Sequence, residues 1–291
     1  MSKKAEIQFY WIFTIIAGAI ILAFLISFGL RFKDLQEEKT TIRVLNNLEE
    51  SFSSLQGAQF QTSTSLNLPV TMNALCDSFG ERLVINRKSL ETNNLIFSNG
   101  DLKDDVLIGF TPHNLPFRIS NFFYIIEKED TYSLVYENSN ERMVRGLGKE
   151  FKEYFPDNVE ITNNPGNQVR VYFNKKEDAD IYVIPETEES GKVFFKGGGS
   201  VDYYNKAMLY GAIVAREKSG CLFNKSGEEM REVIGALNGK IDHLPVSCNY
   251  NDIRLSLQKM EKSGGRDLVD ATKVLERQNE VLLDKNCPLV F

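Results

Sequence analysis

Between Ile7 and Leu30 the chain carries no formal charge, and this run limits its possible folds more than any other segment. Its apolar part, Phe9 to Leu30, is 22 residues long. At about 1.5 Å per helical residue it reaches about 33 Å, enough to cross the hydrocarbon core of a bilayer. Thirteen of these residues are Leu, Ile or Phe, and at about −0.3 to −0.6 kcal/mol each they favour insertion by roughly 4 to 8 kcal/mol. Tyr10 and Trp11 stand near one interface and Phe28 and Phe32 near the other, where aromatic rings settle. A buried helix of a soluble protein would be shorter and carry a polar face. A cleaved secretory signal has an apolar region of about 7–15 residues ending in a small-x-small site. Here the region is longer, and only Ser27-Phe28-Gly29 has that shape at its far end. The segment therefore reads as a retained anchor, with residues 1–8 as a cytoplasmic tail and 9–30 as the transmembrane helix.

Flanking charge does not set the direction, because Lys3, Lys4 and the terminal amine balance Arg31, Lys33 and Lys39. The cysteines do. Cys76, Cys221, Cys248 and Cys287 show no C-x-x-C or other metal-ligand spacing, and four dispersed cysteines suit either two disulfides in an oxidising compartment or four inert buried thiols in the cytoplasm; their placement favours disulfides. Residues 250–261 read as a helix with Asn251 as N-cap, ended by Ser263-Gly264-Gly265, and residues 267–285 read as a second. A short loop folds such a pair into an antiparallel hairpin, whose open end brings Cys248 to Cys287. By elimination Cys76 pairs with Cys221; pairing of Cys221 with Cys248 is the alternative. One glycosylation sequon, Asn224-Lys225-Ser226, is compatible with an exterior location, while Ser226 and Glu229 also fit a capping box that starts a helix there.

Residues 31–56 contain no Gly or Pro and place Leu35, Ile42, Leu45, Leu48, Phe52 and Leu55 at near-heptad steps. The helix is expected to continue out of the membrane to Gln56-Gly57, as a juxtamembrane amphipathic segment that packs on its own domain or forms a short coiled coil between copies. Within the span, Ala19, Ala23 and Ser27 recur every four residues and give one face on which another helix can approach closely. The expected partners are thus the lipid bilayer and either another protein or a second copy through this N-terminal helix.

Residues 57–291 read as one extracytoplasmic domain. Candidate strands are 83–85, 95–97, 106–110, 117–126, 132–136, 159–162, 169–173, 181–184 and 193–195, rich in β-branched and aromatic residues. A helix over 141–155 makes one strand-helix-strand unit, and the C-terminal third is helical, so the fold class is α+β or α/β. Asn163-Asn164-Pro165-Gly166 marks a hairpin turn or a boundary. Lys3 and Lys4 against Glu6 give the first thirty residues +1 of the chain's −6, which leaves −7 on the remainder. An acidic domain with dispersed lysines is a poor ligand for nucleic acid.

Chemistry-bearing patterns are few. His113, in Thr-Pro-His-Asn-Leu-Pro, reads as a surface-loop residue, and neither it nor His243 has an adjacent metal-ligand partner. No Gly-x-Ser-x-Gly or His-Glu-x-x-His occurs. Lys196-Gly197-Gly198-Gly199-Ser200 lacks the order of a phosphate loop and reads as a connector before a helix from Asp202. The pairs Asp104-Asp105 and Glu188-Glu189 are the acidic candidates for acid–base or cation chemistry, but adjacent carboxylates point to opposite faces in a strand and solvate the chain in a loop. No cofactor, metal or catalytic set is expected.

Lys3-Lys4-Ala5 before Glu6 and a long apolar helix resembles the leader of archaeal type IV pilins. The resemblance covers residues 3–55 and implies removal of residues 1–5, a filament core built by the apolar half and a head carried by the amphipathic half. The start Glu-Ile-Gln-Phe-Tyr-Trp-Ile-Phe and the end Asn286-Cys287-Pro288-Leu289-Val290-Phe291 are similar to a group of archaeal single-pass membrane proteins with no assigned activity. The sequence thus leads to a single-pass protein of the cell membrane, acting outside by binding or assembly and not by catalysis. The alternatives are a pilin-like subunit and an ectoenzyme using dispersed carboxylates.

Overall fold

Fifty-five residues, Lys3–Gly57, form one uninterrupted helix, α1, in the computed structural model, which describes residues 3–57, 62–77, 80–86, 88–92, 94–166, 168–176, 178–263 and 265–291. Met1 and Ser2 of the expected tail, Ala58 at the start of the stranded region and Gly264 of the expected helical turn lie outside the described residues. The chain divides into two compact units, residues 1–47 and 48–291.

In the first unit, α1 is long and apolar enough to cross a membrane by length and composition, and none of its most apolar stretch is buried. The single stripe expected over 35–55 is in fact two. Leu48, Phe52 and Leu55 are buried, as are Thr41 and Val44, whereas Leu35 and Ile42 are exposed and Leu45 is half-buried. The cause is helical geometry: the two successive steps of three, 42 to 45 to 48, turn the stripe by roughly 120° around the helix.

The second unit is α+β. Its first sheet contains β1 (Thr62–Asp77), β2 (Gly80–Ile85), β3 (Lys88–Glu91), β4 (Leu95–Ser98), β5 (Asp101–Asn114) and β6 (Arg118–Glu127), in the order β3-β2-β1-β5-β6-β4. It is antiparallel except where β4 lies parallel to β6. The second sheet contains β7 (Tyr132–Val135), β8 (Val159–Thr162), β9 (Val169–Tyr172), β10 (Ile181–Pro185), β11 (Gly191–Phe195) and β12 (Ser200–Tyr203), in the order β12-β11-β10-β9-β7-β8. Helix α2 (Glu141–Tyr154) makes the crossover between β7 and its parallel neighbour β8.

Helices α2 and α3 (Lys206–Ala215) occupy the space between the sheets. α2 packs on β7 and β8 and also on β1 and β5, while α3 packs on β4 and β6 and also on β12. Every residue of α3 from Met208 to Ala215 is buried, because a helix apolar all round needs neighbours on every side. Gly211 lets α3 settle onto the first sheet: a Cβ there would stand 2.6 Å from the Phe97 ring. The resulting core joins Phe97, Phe122 and Tyr124 of the first sheet to Phe151 and Tyr154 of α2, Ile213 of α3, and Val171, Ile181 and Val193 of the second sheet.

A second core is helical. α4 (Ser219–Asp242), α5 (Asn251–Lys262) and α6 (Gly265–Asp284) enclose Met230, Ile234, Leu257, Met260, Leu268 and Leu275 around Leu115 and Phe117 at the tip of the β5–β6 hairpin.

Several elements depart from expectation. β1 was not among the expected strands, because Ser, Asn and Pro69 dilute its β-branched and apolar residues; it pairs β2 and β5 on its two edges, and its register shifts between Leu68 and Met72, around Pro69. The Lys196–Ser200 segment is a hairpin turn, not a connector to a helix: β12 follows it, with Gly198 and Gly199 at positive φ. Residues 163–166 do not close a hairpin, since β8 and β9 flank β7 on opposite edges. Ser226 caps nothing; α4 begins at Ser219, and Ser226 lies inside it.

Candidate functional site

Two cysteine pairs stand at disulfide distance. Cys76 on β1 meets Cys221 on α4, with Cα atoms 6.1 Å apart across 145 residues. Cys248 meets Cys287 at the open end of the α5–α6 pair, with Cα atoms 6.0 Å apart across 39 residues. The Cys221–Cys248 alternative is not adopted. The first pair ties the first sheet to the start of the helical region; the second closes the hairpin on itself.

The most unusual chemistry lies at the junction of the two cores. His113 sits in β5 with no exposed surface, opposite Ser120 of β6, its ring stacked on Phe122 at 4.4 Å. It is a core residue, not a surface-loop residue. Asn205, the N-cap of α3, accepts from the Met208 amide through its side-chain oxygen at 2.8 Å. This fixes the amide orientation, so its Nδ2 is the group 2.8 Å from His113 Nδ1 and must donate. The imidazole is therefore neutral with its proton on Nε2, and that N–H finds no hydrogen-bond partner among the described residues. Burial lowers the His113 pKa to about 3.

One side of α4 closes this junction. Ser226 is fully buried beside Tyr204, and Glu229, one turn on, lies against Ser120. The proximities influence titration but fall short of good hydrogen-bond geometry: Ser120 Oγ, Ser226 Oγ and Glu229 Oε2 have no partner among the described residues. Burial raises the Glu229 pKa to about 7, against the opposing pull of Ser120. Four unsatisfied polar atoms in one place is a concentration that native interiors normally avoid.

A second feature is a cleft of about 170 Å³ beside the Cys76–Cys221 pair, lined by Ala74, Ile96, Ser98, Glu217, Lys218 and Leu222 among others. This is below the usual size of a ligand pocket. Next to it, Arg216 holds φ +49° where α3 passes into α4, a strained conformation for a non-glycine residue.

The other candidates are scattered. The described side chains Ala19, Ala23 and Ser27 are exposed on α1. Asn224 is exposed on α4, but its sequon partner Ser226 is buried. Asp104 and Asp105 are exposed on β5, and Glu188 and Glu189 in the β10–β11 turn. Among the described residues no three His, Cys, Asp or Glu side chains gather to hold a metal ion. Sequence reasoning missed Asn205 and Ser120; Asn205 was findable, because Asn before the apolar run Ala207–Ala215 is an N-cap signal.

Comparison with protein-family models, with characterised proteins and with solved structures finds no match to this chain.

Proposed function

We propose that this chain is a single-pass membrane protein whose domain stands on the oxidising, exterior side and acts by binding or assembly. The observation that carries the reading is α1: its most apolar stretch buries nothing, and exposed Phe13, Ile16, Ile20, Leu22, Phe24 and Leu25 need an apolar solvent. The cysteine pairs support the exterior side, since disulfides persist where the compartment is oxidising. A binding role is preferred over catalysis because His113 and Ser226 have no exposed surface, so a substrate would have to open the fold to reach them.

The test uses intact cells of the native host. Membranes extracted with alkali should retain the chain, its thiols should resist alkylation until reduced, and protease added outside should digest residues 57–291. Release by alkali, or free thiols in the unreduced protein, would overturn the reading. The unbroken course of α1 over 55 residues also suits a filament subunit; N-terminal sequencing that finds residues 1–5 in place removes that second reading.

A further inference from the structure

We infer that α1 pairs in parallel with α1 of a second copy, through a seam formed by Phe32, Leu35, Lys39 and Ile42. The inference rests on the membrane reading above, because a common anchor is what holds all copies in the same direction.

The seam is an exposed stripe distinct from the buried one. Ile21, Leu25, Phe28, Phe32, Leu35 and Ile42 are 61, 57, 60, 54, 56 and 41% exposed. With Lys39 included, these positions advance in strictly alternating steps of four and three, the 3.5-residue repeat of a left-handed coiled coil. The outer part of this stripe lies roughly 150° around the helix from the buried side chains Thr41, Val44, Leu48, Phe52 and Leu55. It also lies on the far side from Ala19, Ala23 and Ser27, so the small-residue face is not the predicted contact.

Two features favour a second copy as occupant. First, in this register Phe32, Lys39 and Asn46 take the a positions and Leu35 and Ile42 the d positions; polar residues at a are the usual device for fixing register and strand number. Second, Glu38 falls at g and Arg43 at the following e, so in a parallel pair each copy's Glu38 faces the other's Arg43, and two-fold symmetry makes the contact twice. Lys33 and Glu37, by contrast, form an in-chain pair at 3.7 Å on the face opposite the seam, in line with the buried Thr41 and Val44.

The part that does the pairing is short. Inside hydrocarbon the Ile21–Phe28 segment gains no hydrophobic drive. The remaining positions span about one and a half heptads, too little to associate in dilute solution. Confinement to one bilayer raises the effective concentration and makes the pairing possible.

The experiment uses the full chain in its membrane, with its native cysteines kept and one cysteine added at a time. Leu35→Cys and Ile42→Cys test the seam, Glu37→Cys the face opposite it, and Ala23→Cys the small-residue face. Under a mild copper oxidant, which takes the electrons as two thiols join, Leu35→Cys and Ile42→Cys should give at least about fivefold more product of twice the chain mass than Glu37→Cys. Equal yields, dominance of Ala23→Cys, or a product of another mass would overturn the pairing. Glu38→Arg should cut the Leu35→Cys yield several-fold, and Arg43→Glu in the same chain should restore it; failure to restore removes this register. Alkali extraction of the same membranes reports on the anchor separately. A retained but uncrosslinked chain sinks the seam alone, and a released chain sinks the anchor.

Discussion

The two cores of residues 48–291 are built on different terms. Phe97, Tyr124, Leu147, Val183 and Ile213 of the larger core are distant in sequence and meet only when both sheets close over α2 and α3. The smaller core draws most of its side chains from residues 230–291, in three consecutive helices closed by Cys248–Cys287. A core of distant partners forms or fails as a whole, whereas a local one can open by itself. The larger core therefore rests mainly on packing, with Cys76–Cys221 at its edge, and the smaller one on the covalent closure of its own hairpin.

The largest effect should come from Phe97→Ala. Phe97 is fully buried, touches Phe122, Tyr124 and Phe223, and receives Gly211. Its loss should cost about 3–5 kcal/mol in urea unfolding of the full chain in detergent, followed by circular dichroism. The transition should shift as one step for both sheets. A cost below about 1 kcal/mol would mean that the ring does not hold the sheets together.

Cutting the staple of the smaller core should act differently. Cys248→Ser with Cys287→Ser should cost about 2–4 kcal/mol. Hydrogen exchange should rise in α5 and α6 first, with β5 and β6 staying protected. Cys76→Ser with Cys221→Ser, which opens a longer loop across the larger core, should instead lower protection in both sheets. Matching exchange patterns for the two variants would erase the distinction between the cores.

The same contrast decided what could be read from the sequence. The helical core was legible, down to the residues its cysteines would join, because its helices carry stripes at three-to-four spacing and contact their neighbours in sequence. Most strands were legible from their β-branched and aromatic residues. The sandwich was not: β1 hides its pairing behind Ser, Asn and Pro69, and nothing local announces that α3 lies between two sheets. The polar junction was hidden for the same reason. His113 is flanked by Pro112 and Asn114 and reads as a loop, and only the long pairing of β5 with β6 brings Ser120 opposite it. α1 was legible in its length but not in its division into two stripes, which depends on which face becomes buried.

The junction between the cores gives a prediction in pH. His113 drops from 6.5 unfolded to about 3 folded. As pH falls through that window the unfolded chain takes up the proton first, so stability is lost, by up to about 1.4 kcal/mol per pH unit. Glu229 rises from 4.5 to about 7. Here the folded chain takes up the proton first, so stability is gained as pH falls from 7 to 4.5 and lost as it rises. The two oppose each other between pH 6.5 and 4.5; below pH 4.5 only His113 of this pair still titrates, with the loss reinforced by Asp180, which its Arg170 and Lys196 partners hold below the usual range, and opposed by Asp130, which burial pushes up. Stability measured from pH 8 to 3 should therefore change little at first and then fall. His113→Phe should flatten the acid limb, and Glu229→Gln should make the fall begin near pH 6.5. A wild-type curve unchanged by either substitution would show that the junction does not titrate on unfolding.

The smallest effect should come from the rim of the larger core, where Lys206 of α3 pairs with Glu150 of α2 and the Tyr210 hydroxyl donates to the same carboxylate. Both charged side chains are about one-third exposed, at 31 and 35%, so water screens the pair. Glu150→Gln removes the charge but keeps an oxygen for Tyr210, and should cost no more than about 1 kcal/mol, less at high salt. A cost approaching that of Phe97→Ala would mean that α2 and α3 are held by this ion pair and not by the sheets that enclose them, and the larger core would then have to be understood as a polar clamp with apolar filling.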